Sequence, residues 1–226
     1  MTTALTTGSS YADLGLSPPT PEDRSVALAA ASSKFPPYMQ LYGANSNLVK
    51  ENSEWMGCFG LVYSGNDGPS VNLGKSFDCV VLAARPKAMR LNPLTVVFQI
   101  DHPEYLKIKA ECDNAPKGEM VGCFHGPEFL IWVPAQKVFV LYHCSNKTSR
   151  KEAGNLHAKM LQPITLKSKL IKAPKFSWHG PQCLACDTPL DPPEVNEENR
   201  EIITRFNERV ATLPEISDRV DTGRAR

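Results

Sequence analysis

Two apolar runs, "FLIWV" (129–133) and "KVFVLYHC" (137–144), stand three residues apart and carry large side chains on alternate and on intervening positions. Successive side chains of a strand point to opposite faces, so Phe129, Ile131 and Val133 share one face while Leu130 and Trp132 share the other. A hairpin apolar on both faces must be covered from above and below, which predicts a central pair turning at Pro134-Ala135-Gln136.

Strict alternation marks other segments. In "ITLKSKLIK" (164–172), Ile164, Leu166 and Leu170 fall on one side and Lys167 and Lys169 on the other. "YLKIKAEC" (105–112) also alternates, with Leu106, Ile108 and Ala110 opposite Lys107 and Lys109. It predicts a strand paired with "LTVVFQI" (94–100) across Asp101-His102-Pro103-Glu104. "CFGLVY" (58–63) and "FDCVVLAAR" (77–85) predict two more strands, and Gly65-Asn66-Asp67-Gly68-Pro69 a turn between them. The strand pattern opens at "FPPYMQLYG" (35–43).

Two segments take the helical period instead. Ser145 or Asn146 caps "KTSRKEAGNLHAKML", with Gly154 a weak point and Pro163 a stop. "EVNEENREIITRFNERVATL" (194–213) carries an apolar stripe of Ile202, Ile203, Phe206 and Val210. Between them "APKFSWHGPQCLACDTPLDPP" reads as a loop. Residues 1–34, rich in Thr, Ser, Ala and Pro, lack the large apolar side chains that would offset ordering entropy and predict a disordered arm. The expected organisation is that arm, a β-rich domain over 35–190, and an acidic helix and tail over 191–226. The fold class is mainly β (α+β), with about seven strands, one inserted helix and one C-terminal helix; an OB-like barrel or a small sandwich fits this string.

"GPSVNLGKS" (68–76) invites comparison with a phosphate-binding loop. Such a loop needs four residues between its first glycine and Gly-Lys, and here Pro69 to Leu73 make five. Pro69 has no N–H to offer an anion, and the following "FDCVV" favours a strand where a helix should begin. Lys75 is therefore expected on the surface at a strand edge.

Composition adds bounds. The 226 residues carry a formal net charge of +1, so any argument for a polyanionic partner must come from local clustering. No 18-residue apolar run predicts a membrane span, and "MTTALTTGSSYADLG" lacks the features of a secretory signal. The seven cysteines, an odd number without scaffold spacing, then read as reduced thiols in a cytoplasm.

The charges are segregated. Between Asn146 and Trp178 eight cations (Lys147, Arg150, Lys151, Lys159, Lys167, Lys169, Lys172 and Lys175) face one anion, Glu152, a local charge of +7. From Asp187 to Asp221 ten acidic residues face four arginines, a local charge of −6. Clustered lysines neutralise phosphates and release counterions. Phe176 and Trp178, two residues apart at the end of the basic run, would share a face of an extended chain and supply a stacking platform. The expected nucleic-acid contacts are Lys167, Lys169, Lys172, Lys175, Phe176 and Trp178, with Lys107, Lys109, Arg85 and Lys87 in second rank. The competing reading of such a charge run is a solvated face.

His179, Cys183 and Cys186 in "WHGPQCLACD" offer three of the four ligands of a tetrahedral zinc, with no evident fourth unless the fold brings up His125, His143, Cys123 or Cys144. A lone Cys-x2-Cys reads more simply as two thiols in a loop, so no metal and no cofactor is expected. No Gly-x-Ser-x-Gly, His-Glu-x-x-His or dinucleotide glycine motif occurs, and His102 and His125 stand in turn contexts. No catalytic residue is expected.

Four stretches, "FPPYMQLYGANSNLVKE", "LGKSFDCVVLAARPKAM", "GPEFLIWVP" and "ITLKSKLIKAPKFSWHGP", together resemble tailed-bacteriophage proteins of the single-stranded DNA-binding-like type, over roughly residues 35–190. The resemblance implies a phage-encoded, non-enzymatic protein of genome replication or recombination in the host cytoplasm, with single-stranded DNA as partner. Phage single-strand binders typically end in an acidic tail that recruits replication proteins; this chain ends "DTGRAR", leaving the acidic helix before it as the candidate docking element for phage or host replication proteins. The alternative function is that of a virion or host-interaction protein without nucleic-acid binding.

Overall fold

The hairpin announced by the two apolar runs lies at the centre of a nine-stranded sheet in the computed structural model, which describes residues 36–62, 69–116 and 122–208. The strands are β1 (Tyr38–Leu41), β2 (Phe59–Val62), β3 (Pro69–Gly74), β4 (Ser76–Leu91), β5 (Leu94–Val97), β6 (Cys123–Val133), β7 (Val138–His143), β8 (Pro163–Lys172) and β9 (Ser177–Ala185). The helices are α1 (Asn47–Glu51), α2 (Pro103–Asn114), α3 (Lys147–Ala158) and α4 (Glu197–Glu208). Their order across the sheet is β3-β2-β1-β7-β6-β4-β8-β9, with β5 beside β4. Every pairing is antiparallel except β1 with β7.

β6 and β7 pair from Glu128↔His143 to Val133↔Val138, turning at Pro134–Gln136 where the sequence places the turn. All of Phe129–Val133 is buried. Phe129, Ile131 and Val133 join Val140, Tyr142, Phe59, Leu61, Ile164 and Leu166 in the main core on one face, and α3 closes that core with Ala153 and Leu156. Each such fully buried side chain contributes about 1.5–3 kcal/mol. On the other face Trp132 packs on Phe139 with ring centroids 5.0 Å apart, and its indole N–H donates to the Asp191 carbonyl at 2.9 Å.

The long strand β4 links two cores. β6 runs along one edge of it; β8 takes Ser76–Val80 and β5 takes Ala88–Leu91. Under the β5 end lies a second core of Ala88, Val97, Tyr105, Ile108 and Cys123, roofed by α2. The strand expected over 105–112 is therefore a helix. Tyr105, Ile108 and Cys112 recur at helical spacing on the packed face, and the period-two alternation of the lysines is incidental to it. His102 caps the helix, its Nδ1 accepting from the Glu104 N–H at 3.1 Å, and Pro103 takes the first position. β5 turns back on β4 rather than pairing with 105–112.

A second correction falls at 173–193, expected as a loop: residues 177–185 form β9, paired with β8 from Ile164↔Ala185 to Lys172↔Ser177. The "GPSVNLGKS" stretch contributes β3, and β4 follows it; Lys75 is exposed between the two strands. The Gly74 N–H donates to the Asn72 side chain at 2.7 Å in that tight link.

The mainly β expectation holds. The sheet coils, bringing the His179 ring against Gly57, where an added Cβ would lie 2.6 Å away. It is nevertheless open: no ladder joins β3 to β9 among the described residues, so these strands do not close an OB-like barrel. The outer edge of β9 is instead protected by α3, whose Glu152 carboxylate accepts from the Cys183 N–H at 2.6 Å. The acidic helix α4 packs back onto the sheet through Phe206, which is fully buried. Among the described residues no helix is long and apolar enough to cross a membrane. The disordered arm expected over 1–34 lies outside the described residues, as do Val210 of the apolar stripe and residues 65–68 of the turn expected at 65–69, whose last residue, Pro69, opens β3.

Candidate nucleic-acid interface

The β8–β9 ribbon is set by alternation on β8 and by its antiparallel register. Cross-strand partners share a face. Ile164, Leu166 and Cys183 point into the main core, which sends Lys167, Lys169 and Ile171 of β8, with Trp178, Gly180 and Gln182 of β9, to the outer face. Towards its turn the ribbon runs beyond the core, and Leu170 is 46% exposed although it continues the inward row. The Ala173 N–H donates to the Phe176 carbonyl at 2.9 Å and closes the turn.

At that end Phe176 is 66% exposed and lies against Trp178, ring centroids 5.3 Å apart and planes tilted by 35°. Trp178 is half-buried, and its indole N–H donates to Thr148 Oγ1 of α3 at 3.0 Å. Thr148 reaches the strand because Gly180 leaves room; a Cβ there would stand 2.5 Å from the threonine methyl. The capping box of α3 holds this contact in place, with the Ser149 N–H donating to Asn146 Oδ1 at 2.8 Å and the Asn146 N–H donating to Ser149 Oγ at 3.2 Å.

Lys167, Lys169, Lys172 and Lys175 are all exposed, and none forms an ion pair among the described residues. Lys167 and Lys169 share the Trp178 face; Lys172 belongs to the opposite row and Lys175 to the turn. The lysines thus surround the aromatic pair instead of lining one flat face. Thr148 also brings the first turn of α3 to Trp178, with Lys147 and Lys151 exposed on that helix.

The second-rank residues lie elsewhere. Lys107 and Lys109 sit on α2, where Lys107 bonds Glu104 at 2.5 Å and Lys109 bonds Asp113 at 2.7 Å. Arg85 and Lys87 are buried, with 9% and 4% of their side chains exposed. Register places Arg85 opposite Glu128, whose fully buried carboxylate accepts from Arg85 Nε at 2.9 Å and from Lys87 Nζ at 2.5 Å. The Arg85 guanidinium also lies between the rings of Phe98 and Phe206, 4.0 and 4.1 Å from their centroids, and donates to the Phe206 carbonyl. Burial opposes ionisation of Glu128, but the charges of Lys87 and Arg85 prevail and hold its carboxyl below the usual range. Arg85 therefore clamps α4 to the sheet, while Lys87 is held between Glu128 and the Tyr38 ring, 4.8 Å from its centroid. Charged residues inside otherwise apolar strands were the available signal for this cluster.

His179 and Cys183 lie four residues apart on the extended strand β9, roughly 13 Å of chain, too far to share one tetrahedral ion. Cys183 faces the main core and the Cys186 sulfur turns to the Thr188 carbonyl at 3.6 Å. His125 instead bonds Asp113 at 2.9 Å, and Arg150 donates to the His125 carbonyl at 3.1 Å. Among the described residues no three His, Cys, Asp or Glu side chains are grouped to hold a metal. Comparison of the chain with protein-family models, with curated proteins and with solved structures gives no match.

Proposed function

We propose that this protein binds single-stranded DNA along the β8–β9 ribbon, acting as a binding protein of replication or recombination. One observation carries the reading: an exposed phenylalanine stacked on an anchored tryptophan, ringed by four exposed lysines that have no ion-pair partner among the described residues. Exposing an aromatic ring of this size costs solvation unless a ligand covers it, and an unpaired base offers a flat apolar face of matching size. Lysines placed around the rings supply the phosphate neutralisation that a single strand needs. Duplex DNA keeps its bases stacked inside and gives Phe176 nothing to stack on. The resemblance to tailed-phage proteins implies the same activity, in the cytoplasm of an infected host.

Titration with oligothymidine, followed by tryptophan emission, tests the reading. The wild-type chain should show saturable quenching. Phe176→Ala should weaken binding by roughly 5- to 150-fold, the equivalent of about 1–3 kcal/mol for one base stack. Its thermal midpoint should stay unchanged, because so exposed a ring contributes little to the fold. Undetectable binding by the wild type, or equal affinity of the variant, refutes the proposal.

A further inference from the structure

All seven cysteines fall within the described residues, and in one pair the sulfurs touch: Cys112 Sγ donates to Cys123 Sγ at 2.7 Å. The contact follows from packing. Tyr105, Ile108 and Cys112 occupy one face of α2, and that face lies on the first residue of β6, which is Cys123. The second core ends on this sulfur pair. Cys123 is buried, whereas Cys112 is half-buried and gives a small reagent a way in. The two residues bracket the link between α2 and β6, so a bond between them would tie the end of the helix to the start of the central strand.

We propose that Cys112 and Cys123 form a redox-active pair that a small hydroperoxide converts to a disulfide. The more exposed Cys112, as thiolate, attacks the outer oxygen of the hydroperoxide; the O–O bond breaks, the alcohol leaves, and Cys112 becomes a sulfenic acid. The Cys123 sulfur then attacks the Cys112 sulfur, the S–O bond breaks, and hydroxide leaves with the Cys123 proton as water. Two thiols and one hydroperoxide thus give one disulfide, one alcohol and one water: the sulfurs lose two electrons and the peroxide gains them. The second step is intramolecular between sulfurs already in contact, which favours it over further oxidation of the sulfenic acid. Burial first, and the bond to Cys123 second, push the Cys112 thiol up to about 12, so the first step is slow at neutral pH and needs excess oxidant over hours. The other five have no touching sulfur among the described residues: Cys58, Cys79, Cys144 and Cys183 are buried, and the half-buried Cys186 turns its sulfur to the Thr188 carbonyl, so all five should stay out of any cross-link under the same treatment.

The full-length protein, treated with tert-butyl hydroperoxide and alkylated under denaturing conditions, tests the proposal. The number of alkylated thiols should fall from seven to five, and peptide mapping should recover one cross-link joining Cys112 to Cys123. A reductant should restore all seven. The oxidised protein should melt several degrees above the reduced one, because the bond closes a short loop of the unfolded chain. Cys112→Ser should lose both the cross-link and the rise. Peptide mapping needs no variant, so the proposal stays open to refutation if Cys112→Ser fails to fold. Seven free thiols after treatment, or a cross-link between any other pair, would overturn it.

Discussion

His143 makes the stability of this protein depend on pH over a window set by its own burial. It pairs with Glu128 across β6 and β7, and its Nε2 is sealed from solvent with no hydrogen-bond partner among the described residues. Burial first, then the Lys87 ammonium, lower the imidazole to about 4, against the opposing pull of Glu128. An ordinary histidine in the unfolded chain titrates near 6.5. The unfolded chain therefore takes up a proton that the folded chain refuses until about pH 4, so this contribution is intact above pH 6.5 and is lost as the pH falls from about 6.5 to about 4. The difference amounts to about 3 kcal/mol across the whole window and about 2 kcal/mol between about pH 7 and about pH 4.5. The depressed carboxyl of Glu128 loses its own contribution only at lower pH. Urea unfolding followed by tryptophan emission at those two pH values, on the wild type and on His143→Gln, isolates the effect. The wild type should lose about 2 kcal/mol more than the variant on acidification. Equal losses in the two proteins would refute the assignment.

Other consequences follow from the same packing. Glu128→Gln leaves Arg85 and Lys87 buried against a neutral amide and should cost about 3–5 kcal/mol in a urea titration. Gly126→Ala should abolish folding or lower the thermal midpoint severely, because φ is +148° and the new Cβ would lie 2.1 Å from the Cys144 carbonyl oxygen. Gly154→Ala, in the exposed interior of α3 with nothing within 4 Å of the added methyl, should instead stabilise by about 0.5–1 kcal/mol, and calorimetry separates the two.

What the sequence disclosed depended on how many physical signals agreed. The β6–β7 hairpin was legible because apolar residues on both faces leave a strand no place but the centre of a sheet. α3 was legible because Asn146 and Pro163 bound it on either side. α2 was misread because its lysines alternate by chance, while the better signal was local: His102, Pro103 and Glu104 form a helix start. β9 was hidden by Gly180 and Pro181, residues that lower strand propensity yet are accepted where α3 rather than another strand covers the edge. The ribbon's lysines and rings were found from spacing alone, but their division between two faces required the register. Arg85 and Lys87 looked like surface cations because their partner Glu128 lies more than forty positions away and meets them only through the β4–β6 ladder.

The central claim, that lysines of the β8–β9 ribbon hold the phosphates of an unpaired strand, is tested most directly by the salt dependence of oligothymidine affinity. Each phosphate neutralised on a single strand adds about 0.7 to the slope of log affinity against log salt. Replacing Lys167, Lys169, Lys172 and Lys175 together with alanine should reduce that slope by about 3 while the thermal midpoint holds. A slope that is flat in the wild type, or the same in the wild type and the fourfold variant, would contradict the claim.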